Sequence, residues 1–172
     1  LSSPRARVVE VEDSVAAGAT EIDIVIPRIL ALSGDWPALY EDIRALRAAC
    51  GDAHLKCILS VGELGDLTTV ARASLTAMMA GADVVKTSTG KEATNATLPA
   101  ALTMLDTIHA YYQKTGHRIG FKPAGSISTA RAALPYMAAT HARLGPDWLQ
   151  PTLFRFGASS LLKDIRATLA AS

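Results

Sequence analysis

The stretch Gly81-Ala-Asp-Val-Val-Lys86-Thr-Ser-Thr-Gly-Lys91 reads as a short apolar strand that carries a lysine into a polar, glycine-containing loop. Lysine is costly to bury, so one at the end of an apolar strand is either snorkelling to solvent or held there for chemistry. A second segment, Ile119-Gly-Phe-Lys-Pro-Ala-Gly125, repeats the arrangement with Lys122 one strand-helix unit later. Neighbouring strands of a parallel barrel would bring both ammonium groups into one mouth. At about 4 Å and an effective dielectric near 20 they would repel by ~4 kcal/mol, enough to lower one pKa by ~3 units and leave a free amine near neutral pH. That is the state in which a lysine attacks a carbonyl.

Working outward, five β-rich runs recur at intervals of roughly 30 to 35 residues, the size of a βαβ unit. They are Glu21–Pro27, Leu55–Val61, Ala82–Thr87, Arg118–Pro123 and Leu153–Gly157. Helical patterns lie between and around them, at Arg5–Ala17, Trp36–Cys50, Thr68–Ala80, Leu98–Lys114, Thr129–Leu144 and Ser160–Ala170. Alternating strands and helices imply a parallel sheet covered by helices, either an open doubly wound sheet or a (β/α)₈ barrel. Chemistry-bearing residues at several strand ends favour the barrel, and no G-x-G-x-x-G follows any strand. A whole barrel takes about 250 residues, so residues 1–172 read as one partial TIM-barrel domain with only about the last five βα units. An incomplete barrel would leave unpaired strand edges, an apolar interior open to water and bare helix faces, and would be unstable or self-associated.

Asp23, between Ile22 and Ile24, is the third polar residue inside an apolar run. A carboxylate there is either satisfied by a lysine or backbone amide, or stands across the mouth from Lys86 and moves protons through a water. Lys56 in the next strand is a candidate ion-pair partner, in a structural or a supporting catalytic role. Gly90, Gly125 and Gly157-Ala-Ser159-Ser160 supply backbone and hydroxyl donors suited to a phosphate monoester, with the last helix directing its amides at the anion; Ser159 and Ser160 also suit a plain helix cap. The Gly-Lys pair at 90–91 is not a nucleotide loop: the first glycine of G-x-x-x-x-G-K-[ST] would fall at Val85, and Glu92 follows the lysine.

With 49% hydrophobic and 19% charged residues and a formal net charge of +1, the chain has no basic stripe for nucleic acid. No apolar run reaches the length of about 18 residues that spans a bilayer, and Leu1 to Arg7 lack the features of a secretion signal, so the expectation is a cytoplasmic protein with no membrane partner. Cys50 and Cys57 fit no redox or zinc spacing and read as reduced structural thiols. His54, His109, His117 and His141 show no metal spacing, so neither a metal nor a cofactor is called for.

Together, Val84-Val-Lys-Thr-Ser-Thr-Gly-Lys91, Gly120-Phe-Lys-Pro-Ala-Gly125 and Phe154-Arg-Phe-Gly-Ala-Ser-Ser-Leu161 resemble the deoxyribose-phosphate aldolases. Ala19–Val25, Leu55–Leu59 and Gly62-Glu-Leu64 match the same family. The resemblance implies a metal-independent class I aldolase that reversibly cleaves 2-deoxy-D-ribose 5-phosphate to acetaldehyde and D-glyceraldehyde 3-phosphate. It implies that Lys86 forms the imine, Lys122 lowers its proton affinity and Asp23 relays protons, while Gly90, Lys91, Gly125, Ser126, Gly157, Ser159 and Ser160 meet the phosphate. The family commonly continues K-P-A-G-G-[VI]-R, where this chain has Ser126 and Ser128. It also has three further strands at the N-terminus, whereas this chain starts in the helix before the fourth. A Schiff-base enzyme for another sugar phosphate and a truncated, non-catalytic remnant are the alternatives; association into a homo-oligomer fits either enzyme reading.

Overall fold

The computed structural model describes residues 3–170. Helix α1 (Pro4–Ala16) is followed by β1 (Glu21–Val25), α2 (Arg28–Ser33), α3 (Trp36–Ala49), β2 (His54–Ile58), α4 (Leu67–Met79), β3 (Val84–Lys86), α5 (Leu98–Thr115), β4 (Gly120–Lys122), α6 (Ala130–Leu144) and α7 (Leu161–Ala170). Short 3₁₀ turns occupy Val61–Glu63 and Pro146–Trp148. The helices after β2, β3 and β4 begin at side-chain caps, where Asp66, Thr97 and Thr129 accept the amides of Thr69, Ala100 and Ala132. The short α2 had no counterpart in the sequence reading, because six residues give too little periodicity to recognise.

All strands are parallel and stand in chain order, β1-β2-β3-β4. A doubly wound sheet reverses its order at a switch point; this one does not. The helices follow the same progression, α3 against α4, α4 against α5, α5 against α6 and α6 against α7.

The sequence reading expected five strands, and the described residues form four. The fifth run is present as an extended segment parallel to β4, joined only by isolated bridges at Phe121–Phe154 and Ala124–Gly157. Its ladder runs Phe121 N to Leu153 O, Arg155 N to Phe121 O, Gly157 N to Pro123 O and Gly125 N to Gly157 O. The one rung missing from that series would need an N–H on residue 123, which is proline. The other strands are shorter than expected, although single backbone bonds continue the pairing past them, from Ile26 to Ile58, Leu59 to Lys86 and Val61 to Thr87.

Curvature follows from one long-range contact. Strands lie about 4.8 Å apart, so β1 and the 153–157 segment would be separated by about 19 Å in a flat sheet of five. Yet the Arg155 guanidinium holds the Glu21 carboxylate by two bonds of 2.7 Å. The sheet is rolled into an arc, with its two outermost strands meeting across the inside.

Ile22, Ile24, Leu55, Cys57, Val85 and Phe121 are buried within the core shared by sheet and helices. Cys50 and Cys57 are free, buried thiols. The inner face carries Glu21, Asp23, Lys56, Lys86 and Lys122, with Val84 level with Lys56 and Ile58 level with Lys86 on the same face. The expected apolar interior is thus corrected to a mixed one with a charged centre, because alternation sends only part of each strand's apolar residues outward. No helix among the described residues is long and apolar enough to cross a membrane.

The outer edge of β1 has no strand partner among the described residues, and a groove of about 420 Å³ runs beside it, lined by Arg7, Val11, Ile22, Ile24 and Leu46. Such an edge is a template for pairing with another chain. The 172-residue chain should therefore elute from size-exclusion chromatography ahead of a globular monomer, increasingly so at higher concentration. A compact monomer at every concentration would show that the edge is protected.

Candidate active site

Parallel register sets the chemistry. Lys86 and Lys122 are direct partners on β3 and β4, and Asp23 is the partner of Lys56 on β1 and β2. Because the sheet is rolled, the three lysines converge on the one aspartate. Lys86 Nζ and Lys122 Nζ each donate to Asp23 Oδ2 at 2.8 Å, and Lys56 Nζ lies 3.1 Å from Oδ1. Their side chains are only 12%, 16% and 4% exposed.

Of the two readings of Asp23, a carboxylate satisfied by a lysine and one standing across the mouth from Lys86, the geometry matches the first: it touches both lysines directly. Its side chain is 27% exposed, because the sheet is open on that side. Lys56 is its ion-pair partner, as the sequence suggested. What the sequence reading missed is the second anion on Lys56: Glu21 Oε2 lies 2.9 Å from its ammonium, and Glu21 is held in turn by Arg155. The signal was available in part, since Glu21 and Asp23 are two apart on a strand and share a face.

Four cations thus surround two carboxylates. Two nitrogens sharing an oxygen at 2.8 Å lie within about 6 Å of one another, where two unit charges at an effective dielectric near 20 repel by about 3 kcal/mol. Burial, opposed by the Asp23 hydrogen bond and reinforced by the charges of Lys86 and Lys56, puts Lys122 below the usual lysine range. Burial pushes the Asp23 carboxyl up, but the bonds from Lys122 and Lys86 outweigh it and hold it well below the carboxylate range. Lys56 and Arg155 bring Glu21 down to about 2.

All seven residues suggested for the phosphate line one open cleft of about 480 Å³, together with Lys86, Thr89 and Ser128. Several of their amides are already engaged. Gly90 N donates to Glu92 Oε2 at 3.1 Å, Lys91 N to Thr89 Oγ1 at 3.2 Å, Gly125 N to Gly157 O at 3.3 Å and Gly157 N to Pro123 O at 2.9 Å. Glycine is needed at 125 for room: its φ is +87°, and a Cβ there would come within 2.5 Å of Asn95. Ser126 holds the left-handed region at φ 63° as a non-glycine residue. Ser160 starts α7 through its carbonyl, which accepts from Lys163 and Asp164.

Glu92, also missed, folds its carboxylate onto the amides of Thr89 and Gly90 and onto the hydroxyl of buried Ser60. Burial raises its pKa, and these donors more than reverse that, to about 2. Thr87 ties the two lysine-bearing strands together, its hydroxyl accepting from Ala124 N at 2.9 Å and donating to Ala124 O at 3.0 Å.

Acid should undo this cluster first. Glu21 titrates near 4.5 when unfolded and near 2 when folded, so in that interval the unfolded chain binds the extra proton. Stability from the carboxylates is present above about pH 4.5 and is lost as pH falls towards 2. Urea midpoints measured across that window should fall with pH, and Asp23→Asn should flatten the fall. An unchanged slope in the variant would show that Asp23 contributes nothing to the acid sensitivity.

Residues 2–166 match the family model described as DeoC/LacD family aldolase. Deoxyribose-phosphate aldolases of Mus musculus and Homo sapiens are each 55% identical over 161 residues, covering 94% of this chain and 51% of theirs. The Agrobacterium fabrum deoxyribose-phosphate aldolase is 46% identical over 164 residues, covering 95% and 62%. The chain spans about half the length of the mammalian relatives it matches. Among solved structures, a Coccidioides immitis protein provisionally assigned as a deoxyribose-phosphate aldolase superposes with a TM-score of 0.81 at 28% identity, over 97% of this chain and 59% of that one. The tetrameric deoxyribose phosphate aldolase of Aeropyrum pernix shares the fold, with a TM-score of 0.74 at 24% identity over 99% and 64%. With a family model matched over residues 2–166 and a partial barrel whose strands stand in chain order, this chain belongs to the DeoC/LacD family of aldolases.

Proposed function

We propose that the chain carries the imine-forming part of a class I deoxyribose-phosphate aldolase, with Lys86 as the nucleophile for 2-deoxy-D-ribose 5-phosphate. The observation that carries this reading is the meeting of Lys86 and Lys122 on one oxygen of Asp23, where Lys86 also borders the cleft lined by Lys91, Gly125, Ser126, Gly157, Ser159 and Ser160. The names of the mammalian and bacterial relatives support the same substrate.

In this reading Lys86 Nζ, as free amine, attacks the C1 aldehyde of the open-chain sugar. The carbinolamine loses its hydroxyl as water and leaves a protonated imine. Removal of the C3 hydroxyl proton then breaks the C2–C3 bond, releasing D-glyceraldehyde 3-phosphate while the electron pair moves into the enamine. Protonation of that carbon and hydrolysis return acetaldehyde and the amine. Asp23, touching both lysines, is placed to pass protons among them. Lys122 disfavours a second ammonium beside it, so a proton leaves the pair more readily than from an isolated lysine. The protonated imine is itself the electron sink, and the chemistry asks for no metal or cofactor. The cleft takes the phosphate through the Lys91 ammonium and the serine hydroxyls. Such a reaction on a small phosphorylated sugar belongs in the cytoplasm.

Reduction with borohydride in the presence of acetaldehyde should place a two-carbon adduct on Lys86, read by peptide mass mapping. Lys122→Leu should keep the adduct at Lys86 but require a higher pH for the same yield. An adduct on Lys122 in the parent chain, or none at all, would overturn the assignment. Faster cleavage of a different sugar phosphate would move the substrate and leave the imine chemistry standing.

A further inference from the structure

We propose that Glu21 and Arg155 form a positioning pair that tethers Lys56 and thereby reserves one oxygen of Asp23 for Lys86 and Lys122. Asp23 has two oxygens and three ammonium partners. Lys56 is confined to Oδ1, at 3.1 Å, because its nitrogen is held on the other side by Glu21 Oε2, at 2.9 Å. Glu21 is fixed by the two-toothed bond from Arg155, and Arg155 is oriented by its own backbone, with Nε donating to Pro151 O at 2.8 Å. Two parallel N–H···O bonds fix direction as well as charge. The connected series thus runs from the carbonyl of Pro151 through Arg155, Glu21, Lys56 and Asp23 to the lysine pair.

Charge alternates along that series, so its outer members act on the inner ones with predictable sign. Neutralising Glu21 leaves the whole charge of Lys56 to Asp23, draws Asp23 away from Lys86 and Lys122, and makes protonation of that pair less favourable. Neutralising Arg155 has the opposite effect, since Glu21 becomes an uncompensated anion beside Lys56. The other charged groups bordering this space are His54, which lines the interior pocket with Lys56, Lys122 and Arg155, Arg7 and Glu10 of α1, which line the groove beside Glu21 and Asp23, and Lys91, which lines the cleft that Lys86 borders. None of these four contacts the lysine pair among the hydrogen bonds and ion pairs described.

The proposal rests on the lysine pair being the reactive centre, and its test is kept independent of activity. NMR titration of the lysine Cε and Nζ resonances of the 172-residue chain follows Lys86 and Lys122 without substrate. Glu21→Gln should move their midpoints down and Arg155→Met should move them up, by about half a pH unit, as expected for a unit charge removed three contacts away at Glu21 and four at Arg155. Arg155→Lys, which keeps the charge, should stay near the parent. Midpoints that do not move, or that move the same way in Glu21→Gln and Arg155→Met, would overturn the proposal. If Glu21→Gln does not fold, the sign in Arg155→Met decides alone. A failed borohydride adduct at Lys86 would sink the aldolase reading while these midpoints still judged the pair.

Discussion

Three ammonium groups meet one carboxylate, and much else in the molecule exists to make that tolerable. An unshared aspartate inside the arc would be driven to protonate, and unshared lysines would be driven to lose their protons or leave for solvent. Held together, they form a cluster in which the cations outnumber the anions. A cluster so constituted sheds a proton more easily than an isolated lysine, because losing one removes repulsion without breaking the bond that positions the remaining group. Lys122 accordingly lies below the usual lysine range, through its burial and the neighbouring ammonium charges acting against the Asp23 bond.

The sheet places those charges where no shorter-range device could. Lys86 and Lys122 were legible in the sequence because each ends a short apolar run one strand-helix unit after the other, and parallel register then makes them neighbours. Asp23 was legible for a related reason, as a carboxylate set between Ile22 and Ile24 inside a short β-rich run. Glu21 and Arg155 were not, since 134 residues separate them and only the rolling of the sheet brings them together. Curvature is a property of the assembled sheet, and a linear pattern of apolar residues carries no record of it. The fifth strand shows the converse: its hydrophobic run was plain in the sequence, but a strand also needs unbroken pairing, and Pro123 on its neighbour removes one rung.

The suggested phosphate residues line one cleft, while the part each can play differs from residue to residue. Sequence marks a glycine without saying whether its amide is free. Here the amides of Gly90, Gly125 and Gly157 are spent on Glu92, Gly157 and Pro123, and Gly125 and Gly157 shape the wall by leaving room for the side chains of Asn95 and Ala124. Charge in the cleft comes from Lys86 and Lys91, and the remaining polarity from hydroxyls at Thr89, Ser126, Ser128, Ser159 and Ser160. Ser126 and Ser128 stand where the family's motif has glycine and arginine. The motif's guanidinium is replaced by a hydroxyl, and the left-handed turn is kept at Ser126 without glycine's freedom.

The bond between Glu21 and Arg155 belongs equally to the fold and to the chemistry. As a structural contact it joins the first strand to the last extended segment across the open interior, and it exists only in a rolled sheet. As an electrostatic contact it ends the series that leads to the lysine pair. A change in the roll of the sheet would therefore be felt at Asp23 through Lys56, even with β3 and β4 undisturbed. Stiffness matters here because charge-charge energies vary steeply with distance at these separations: at an effective dielectric near 20, lengthening a contact from 3 Å to 4 Å alters it by about 1.4 kcal/mol, a tenfold change in a protonation equilibrium. The helices that pack in sequence along the outside hold the arc, and the arc holds the distances on which the proton balance of the lysine pair depends.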